Sequence, residues 1–246
     1  MNETGIHRIP ITDASAWTRA DLGANDDWIH VLTEAELSDL DHALRAVRGR
    51  TGKLMDITRA DFPLPVLAPR LAQIERNVRT GRGVALLRGI PVERYDDDEL
   101  FLMKWGIGRY MGRPISQNVY GDVLGHVFDY HNENPTATRT RGYQTNASLD
   151  FHVDRADMTS LLCLRQGRSG GLSRVVSSMS VHNVLLERHP EFLPPLYDGL
   201  PYIFTEPAGQ MTTWNGPVFG VTDGVLSCSM RRGTIQKAID RSEEHT

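Results

Sequence analysis

The tripeptide His152-Val153-Asp154 constrains what this chain can be more than any other feature. It sits within residues 142–178, GYQTNASLDFHVDRADMTSLLCLRQGRSGGLSRVVSS. In an extended segment alternate side chains share a face, so His152 and Asp154 point the same way while Val153 packs on the other side. One imidazole and one carboxylate then converge on a single point. Together they make two thirds of the 2-His-1-carboxylate triad, which holds non-haem Fe(II) from one side and leaves the opposite positions open. Three residues alone also fit a strand-end histidine beside a surface carboxylate, so the surrounding sequence has to decide.

Composition sets the outer bounds. A chain of 246 residues can bury a sizeable core as one domain or two. Its 40% hydrophobic and 24% charged residues are those of a globular protein rather than a disordered one. A formal charge of -4 offers no basic footprint for nucleic acid. No apolar run approaches a membrane span, and the polar start MNETGIHRIP lacks the apolar stretch of a signal peptide, so the expected location is cytoplasmic. Cys163 and Cys228 stand in apolar, strand-like settings without zinc-type spacing and are expected to be small buried hydrophobes.

Residues 1–41 carry nine Asp or Glu against two Arg and read as an irregular, acidic, solvated segment. Thr33-Glu34-Ala35-Glu36 has capping-box form, and Leu37, Leu40, Leu44 and Val47 follow at helical spacing up to Gly49. Leu67, Leu71, Ile74 and Val78 signal a second helix stopping near Gly81, and residues 84–87 a short buried strand. Asp96 to Glu99 open a third helix through Leu100, Met103, Ile107 and Met111, their charge suiting the positive end of the helix dipole. From Ser116 the pattern turns β-like. His126, Asp129 and His131 cluster there at a spacing that matches no ligand set. Residues 181–190 read as a surface helix and 194–199 as a short helix or turn. Residues 218–221 and 225–230 form a hairpin about Asp223-Gly224, and a helix opens after Arg231.

The motifs from Gly142 onward, with Val181 to Leu186 and Arg188 to Leu193 behind them, resemble the taurine dioxygenase-like (TauD/TfdA) family of Fe(II) and 2-oxoglutarate-dependent oxygenases. There Phe-His-x-Asp is followed by an apolar strand (here residues 158–164), a turn with paired glycines (here Ser169-Gly170-Gly171), and a strand opening with Ser or Thr (here residues 173–177). The resemblance runs from about Gly83 to Ile239. It implies an α+β fold: a double-stranded β-helix, or jelly roll, behind a mostly helical preface. The expected division is a preface over 1–82, a partial jelly-roll domain over 83–240, and a non-native tail over 241–246. It also implies Fe(II) and 2-oxoglutarate, with dioxygen and a small organic molecule as the other reactants, and oxidation of a C–H bond as 2-oxoglutarate becomes succinate and carbon dioxide.

Carried over by position, the resemblance makes His152 and Asp154 iron ligands and catalytic residues. Ser173 falls where many relatives place a Thr that hydrogen-bonds 2-oxoglutarate, a bond a Ser hydroxyl can also make. Gln144 and Asn146, shortly before the metal motif, are candidates to face substrate. Related halogenases lack the carboxylate, so Asp154 argues against that chemistry.

The family also uses a second His from a late strand and, some ten residues on, an Arg that pairs with 2-oxoglutarate. No residue here stands in their place: His182 and His189 fall in a helical stretch, and His245 in the last six residues. Those six, RSEEHT, break from what precedes them and match the translated start of a sequencing-library adapter. The expectation is a natural protein that continues past Asp240, and an incomplete barrel in this chain that leaves it inactive. Two other readings stay open: a non-catalytic jelly-roll binding module, and a zinc hydrolase drawing a third histidine such as His126.

Overall fold

The structure, a computed structural model, describes residues 5–117, 121–128, 148–205 and 211–243. Its contacts gather into two compact units, residues 10–115 with 156–183, and residues 1–9 with 116–155 and 184–246. Each is described by itself.

The first unit is built on helices whose starts are written in their caps. Helix α1 (Arg19–Gly23) and strand β1 (Ile29–Val31) fall in the acidic entry segment, which is therefore not wholly irregular. Trp17 there is buried, and its indole N–H donates to the Arg82 carbonyl at 2.7 Å. Helix α2 (Glu34–Val47) begins at Thr33 with the expected reciprocal cap: the Glu36 N–H donates to the Thr33 hydroxyl, and the Glu36 carboxylate accepts from the Thr33 N–H. Helix α3 (Ala68–Thr80) carries Pro69 in its first turn, where a missing N–H costs nothing. Its entry is held by buried Asp39, whose Oδ2 accepts from the Val66 and Leu67 N–H groups at 2.9 and 3.0 Å.

Strand β2 (Leu86–Arg88) pairs parallel to β1, with Ile29 opposite Leu86. It lies two residues later than expected, and Leu86 is exposed rather than buried. Helix α4 (Asp97–Met111) starts on the Asp96–Glu99 box and packs on α2 and α3. Leu40, Leu44, Val47, Phe62, Leu71 and Met103 form the apolar centre of this unit. Gly106 lets α4 lie directly against Phe62, because a Cβ there would come within 2.3 Å of its ring.

The second unit holds helix α5 from residue 184 onward (Ser178–Arg188 in all), helix α6 (Leu193–Asp198) and two hairpins. Strands β3 (Leu200–Thr205) and β4 (Met211–Gly216) pair antiparallel with Tyr202 opposite Trp214. Strands β5 (Phe219–Thr222) and β6 (Val225–Cys228) pair antiparallel about Asp223-Gly224. Both turn residues have positive φ, 50° and 78°, as the tightest hairpin turn requires. Helix α7 (Arg232–Glu243) packs on β3 and buries Ile235 and Ala238.

The result is mixed helix and sheet: three two-stranded sheets and, among the described residues, no closed barrel. Residues 158–164 and 173–177, expected as strands, have no ladder partner among the described residues. Apolar side chains within them stand in the open, Leu161 at 73% and Val175 at 57%. Cys163 is correspondingly exposed and Cys228 half-buried, and no disulfide joins them, so neither is the buried hydrophobe expected. Residues 116–117 and 121–128 likewise form no strand. Among the described residues no helix is long and apolar enough to cross a membrane.

Two outcomes follow for the first unit. Gly106→Ala is expected to cost about 1–3 kcal/mol in chemical denaturation, since Phe62 is fully buried and cannot withdraw. His30 on β1 has its pKa lowered from 6.5, first by burial and then by the Arg70 charge. The unfolded chain therefore takes up the proton before the folded one. Stability should hold above pH 6.5 and fall as pH drops below it. A denaturation series from pH 7.5 to 5 should show this decline shrinking in His30→Leu.

Candidate metal site

Residues 148–155 form no regular strand of their own, yet several contacts fix the middle of the segment. His152 makes an isolated antiparallel bridge with Arg231, in the turn between β6 and α7. The Val153 N–H donates to the Met230 carbonyl at 2.8 Å. The Arg231 side chain returns a bond from Nε to the Val153 carbonyl at 3.3 Å. These bonds use the backbone of the central residue and leave its two neighbours to project together.

The His152 ring is oriented locally. Its Nδ1 lies 2.7 Å from the Asp150 carbonyl oxygen. A carbonyl can only accept, so Nδ1 carries the proton and the lone pair of the neutral ring sits on Nε2. Nε2 faces Asp154 Oδ1 at 3.6 Å, beyond hydrogen-bond range. Both side chains are partly open to solvent, at 41% and 47%. A ring held by a backbone carbonyl on one nitrogen, with the other presented beside a carboxylate, is the arrangement of a metal-ligating histidine.

The donor chemistry fits ferrous iron as far as it goes, with one imidazole nitrogen and one carboxylate oxygen. Among the described residues no group of three or more His, Cys, Asp or Glu side chains could hold a metal ion. The structure thus brings together His152 and Asp154 as the tripeptide spacing predicts. Ser173 belongs to the other unit, exposed and outside any strand, after Gly170 and Gly171 at φ 74° and 67°. Both values lie in the left-handed region that glycine tolerates. Gln144 and Asn146 lie outside the described residues.

Sequence reasoning missed an aromatic wall that meets the neighbouring Arg155. Tyr202 and Phe204, two apart on β3, share a face, and Trp214 on β4 stacks against both. The Phe204–Trp214 centroids are 4.2 Å apart and the rings within 3° of parallel. The Arg155 guanidinium lies 3.4 Å above the Phe204 centroid and 4.9 Å from that of Trp214. Burial, then the neighbouring Arg231 charge, lowers the Arg155 pKa. The Tyr202 hydroxyl donates to the Ser229 carbonyl at 2.8 Å, and burial raises its pKa. The available signal was Tyr-Ile-Phe, an alternation that puts two aromatic rings on one side of a strand.

With this geometry in view, comparison with known proteins is informative. The model of the taurine catabolism dioxygenase TauD, TfdA family matches residues 47–240, and the chain belongs to that family. Its curated relatives include the FR-33289 synthase of Streptomyces rubellomurinus (strain ATCC 31215), 33% identical over 225 residues, which are 91% of this chain and 66% of that protein. The taurine hydroxylase-like protein SAT17 of Stachybotrys chartarum (strain CBS 109288 / IBT 7711) is 29% identical over 227 residues, 90% of this chain and 58% of that one. The chain therefore spans 58% to 66% of the length of these two curated relatives.

The tautomer is directly measurable. Long-range proton–nitrogen NMR on the full chain should show the neutral His152 ring protonated at Nδ1; a ring protonated at Nε2 would contradict the site geometry.

Proposed function

We propose that this chain carries the iron-binding motif of an Fe(II)- and 2-oxoglutarate-dependent dioxygenase acting on a small organic substrate. The observation that carries the reading is the His152–Asp154 pair, with Nε2 and Oδ1 facing each other across 3.6 Å and the ring set by the Asp150 carbonyl. Family membership supplies the reaction class. When bound, iron with 2-oxoglutarate would supply the means to activate dioxygen, one oxygen atom ending in the succinate formed with carbon dioxide from 2-oxoglutarate and the other serving to oxidise a substrate C–H bond.

The protein's own part is positional. His152 and Asp154 would hold the metal. The Nδ1–H bond to Asp150 keeps the ring in the tautomer that can ligate and prevents it from turning away. The Ser173 hydroxyl is proposed to donate to 2-oxoglutarate, and Gln144 and Asn146 to face the substrate. The jelly roll, with residues 1–82 as its helical preface and 83–240 as the catalytic domain, is part of the same proposal. So is a third metal ligand within the length of the relatives that this chain does not span.

A site with two donors grips a divalent ion weakly, and catalysis suffers accordingly. The 246-residue chain is expected to bind Co(II), a spectroscopic stand-in for Fe(II), in a manner lost in His152→Ala and in Asp154→Ala. It should make succinate from 2-oxoglutarate at least about 100-fold more slowly than typical enzymes turn over, a deficit of about 3 kcal/mol in barrier. Co(II) binding unchanged by both substitutions would leave a jelly-roll binding module as the better account. Turnover at enzyme-like rates would refute the two-donor limit.

A further inference from the structure

The two donors stand on a segment with little support of its own. Residues 148–152 and 154–155 are exposed, Val153 is half-buried, and no strand runs through them. The bridge to Arg231, the Val153–Met230 bond and the Asp150–Arg232 ion pair at 4.0 Å fasten the segment to the turn before α7 and to the first residue of that helix. These ties lie at Val153 or before it, and the register of His152 with Asp154 also depends on how the segment is held just after Asp154. A further tie lies at Arg155, the residue after Asp154. Its guanidinium lies against both Phe204 and Trp214 of the β3–β4 hairpin.

We propose that Arg155 is a positioning residue. By seating its guanidinium on the Phe204–Trp214 wall it fixes the second end of the segment that carries His152 and Asp154, and so holds the two donors in register.

Three observations carry this. The contact is close, with the guanidinium carbon 3.4 Å from the Phe204 centroid and 4.9 Å from that of Trp214, so the cation lies within cation–π range of both rings. The wall is itself rigid: Phe204 and Trp214 are stacked nearly parallel, and Tyr202 in the same stack is anchored through its hydroxyl to Ser229. Two independent elements therefore meet the segment, the β6–α7 turn at Val153 and the β3–β4 hairpin at Arg155. Finally, Arg155 keeps this seat beside a second cation, Arg231, and among the described residues neither has a carboxylate within ion-pair distance. A position held against like charge is held by shape and stacking.

The role as a tie stands on the metal-free geometry; its consequence for metal rests on the proposed function. Both are read from the full chain with Arg155→Leu and Arg155→Lys. In metal-free protein, hydrogen exchange at the Val153 amide should quicken by about tenfold in the leucine variant, while the β5–β6 hairpin amides keep their protection. The lysine variant, which returns a cation to the rings, should recover part of the protection. The Co(II) dissociation constant should rise by about tenfold in Arg155→Leu, the usual effect of removing a group that orients a ligand without touching the metal. Unchanged Val153 exchange and unchanged Co(II) affinity in Arg155→Leu would overturn the proposal. So would loss of protection throughout the β5–β6 hairpin, which would make Arg155 a general stabiliser. Quickened Val153 exchange, in a protein that shows no His152-dependent Co(II) binding at all, would uphold the tie and count against the metal reading alone.

Discussion

The bond from His152 Nδ1 to the Asp150 carbonyl decides what the rest of the site can be. With the proton committed to Nδ1, the lone pair of the neutral ring must sit on Nε2, and Nε2 is the atom that faces Asp154. Had the ring been held through Nε2 instead, the same tripeptide would present a nitrogen to the wrong side. The backbone bonds of Val153 to Met230 and Arg231 complete the arrangement, because they consume the polar groups of the middle residue and leave its neighbours free to converge. Orientation by a carbonyl two residues upstream is a local device, available to a short extended segment before any barrel closes around it.

That locality explains which parts of the molecule could be read in the sequence. Thr33 with Glu36, and Asp96 with Glu99, announce their helices within four residues, and α2 and α4 begin where the caps place them. Asp223-Gly224 names its own turn because only residues tolerant of positive φ fit there. The His152–Asp154 pair belongs to the same class, since two-residue alternation is enough to bring it together.

What could not be read depended on distant partners. Residues 158–164 have the apolar content of a strand, but content signals burial, while a strand also needs a neighbour to complete its hydrogen bonds; none is present among the described residues. Cys163 is exposed for the same reason. The β3–β4 hairpin escaped notice from the opposite cause. Pro201 argues against a strand by itself, and the connection of five residues lacks a turn dipeptide, yet the pairing of Tyr202 with Trp214 supplies what the local sequence withholds. The aromatic wall under Arg155 was hidden with it. Family resemblance reached the metal pair by motif, but the wall and the Arg231 bond follow from tertiary pairing.

The central claim is that a divalent metal enters this chain at His152 and Asp154. Paramagnetic broadening in two-dimensional NMR, with Mn(II) added in small steps to the 246-residue chain, addresses it without requiring tight binding or turnover. The account expects the amide signals of residues 151–155 and 230–232 to broaden first, because the bridge between His152 and Arg231 puts both stretches at the site. Broadening that begins at another acidic stretch, or spreads evenly over the surface, would contradict it.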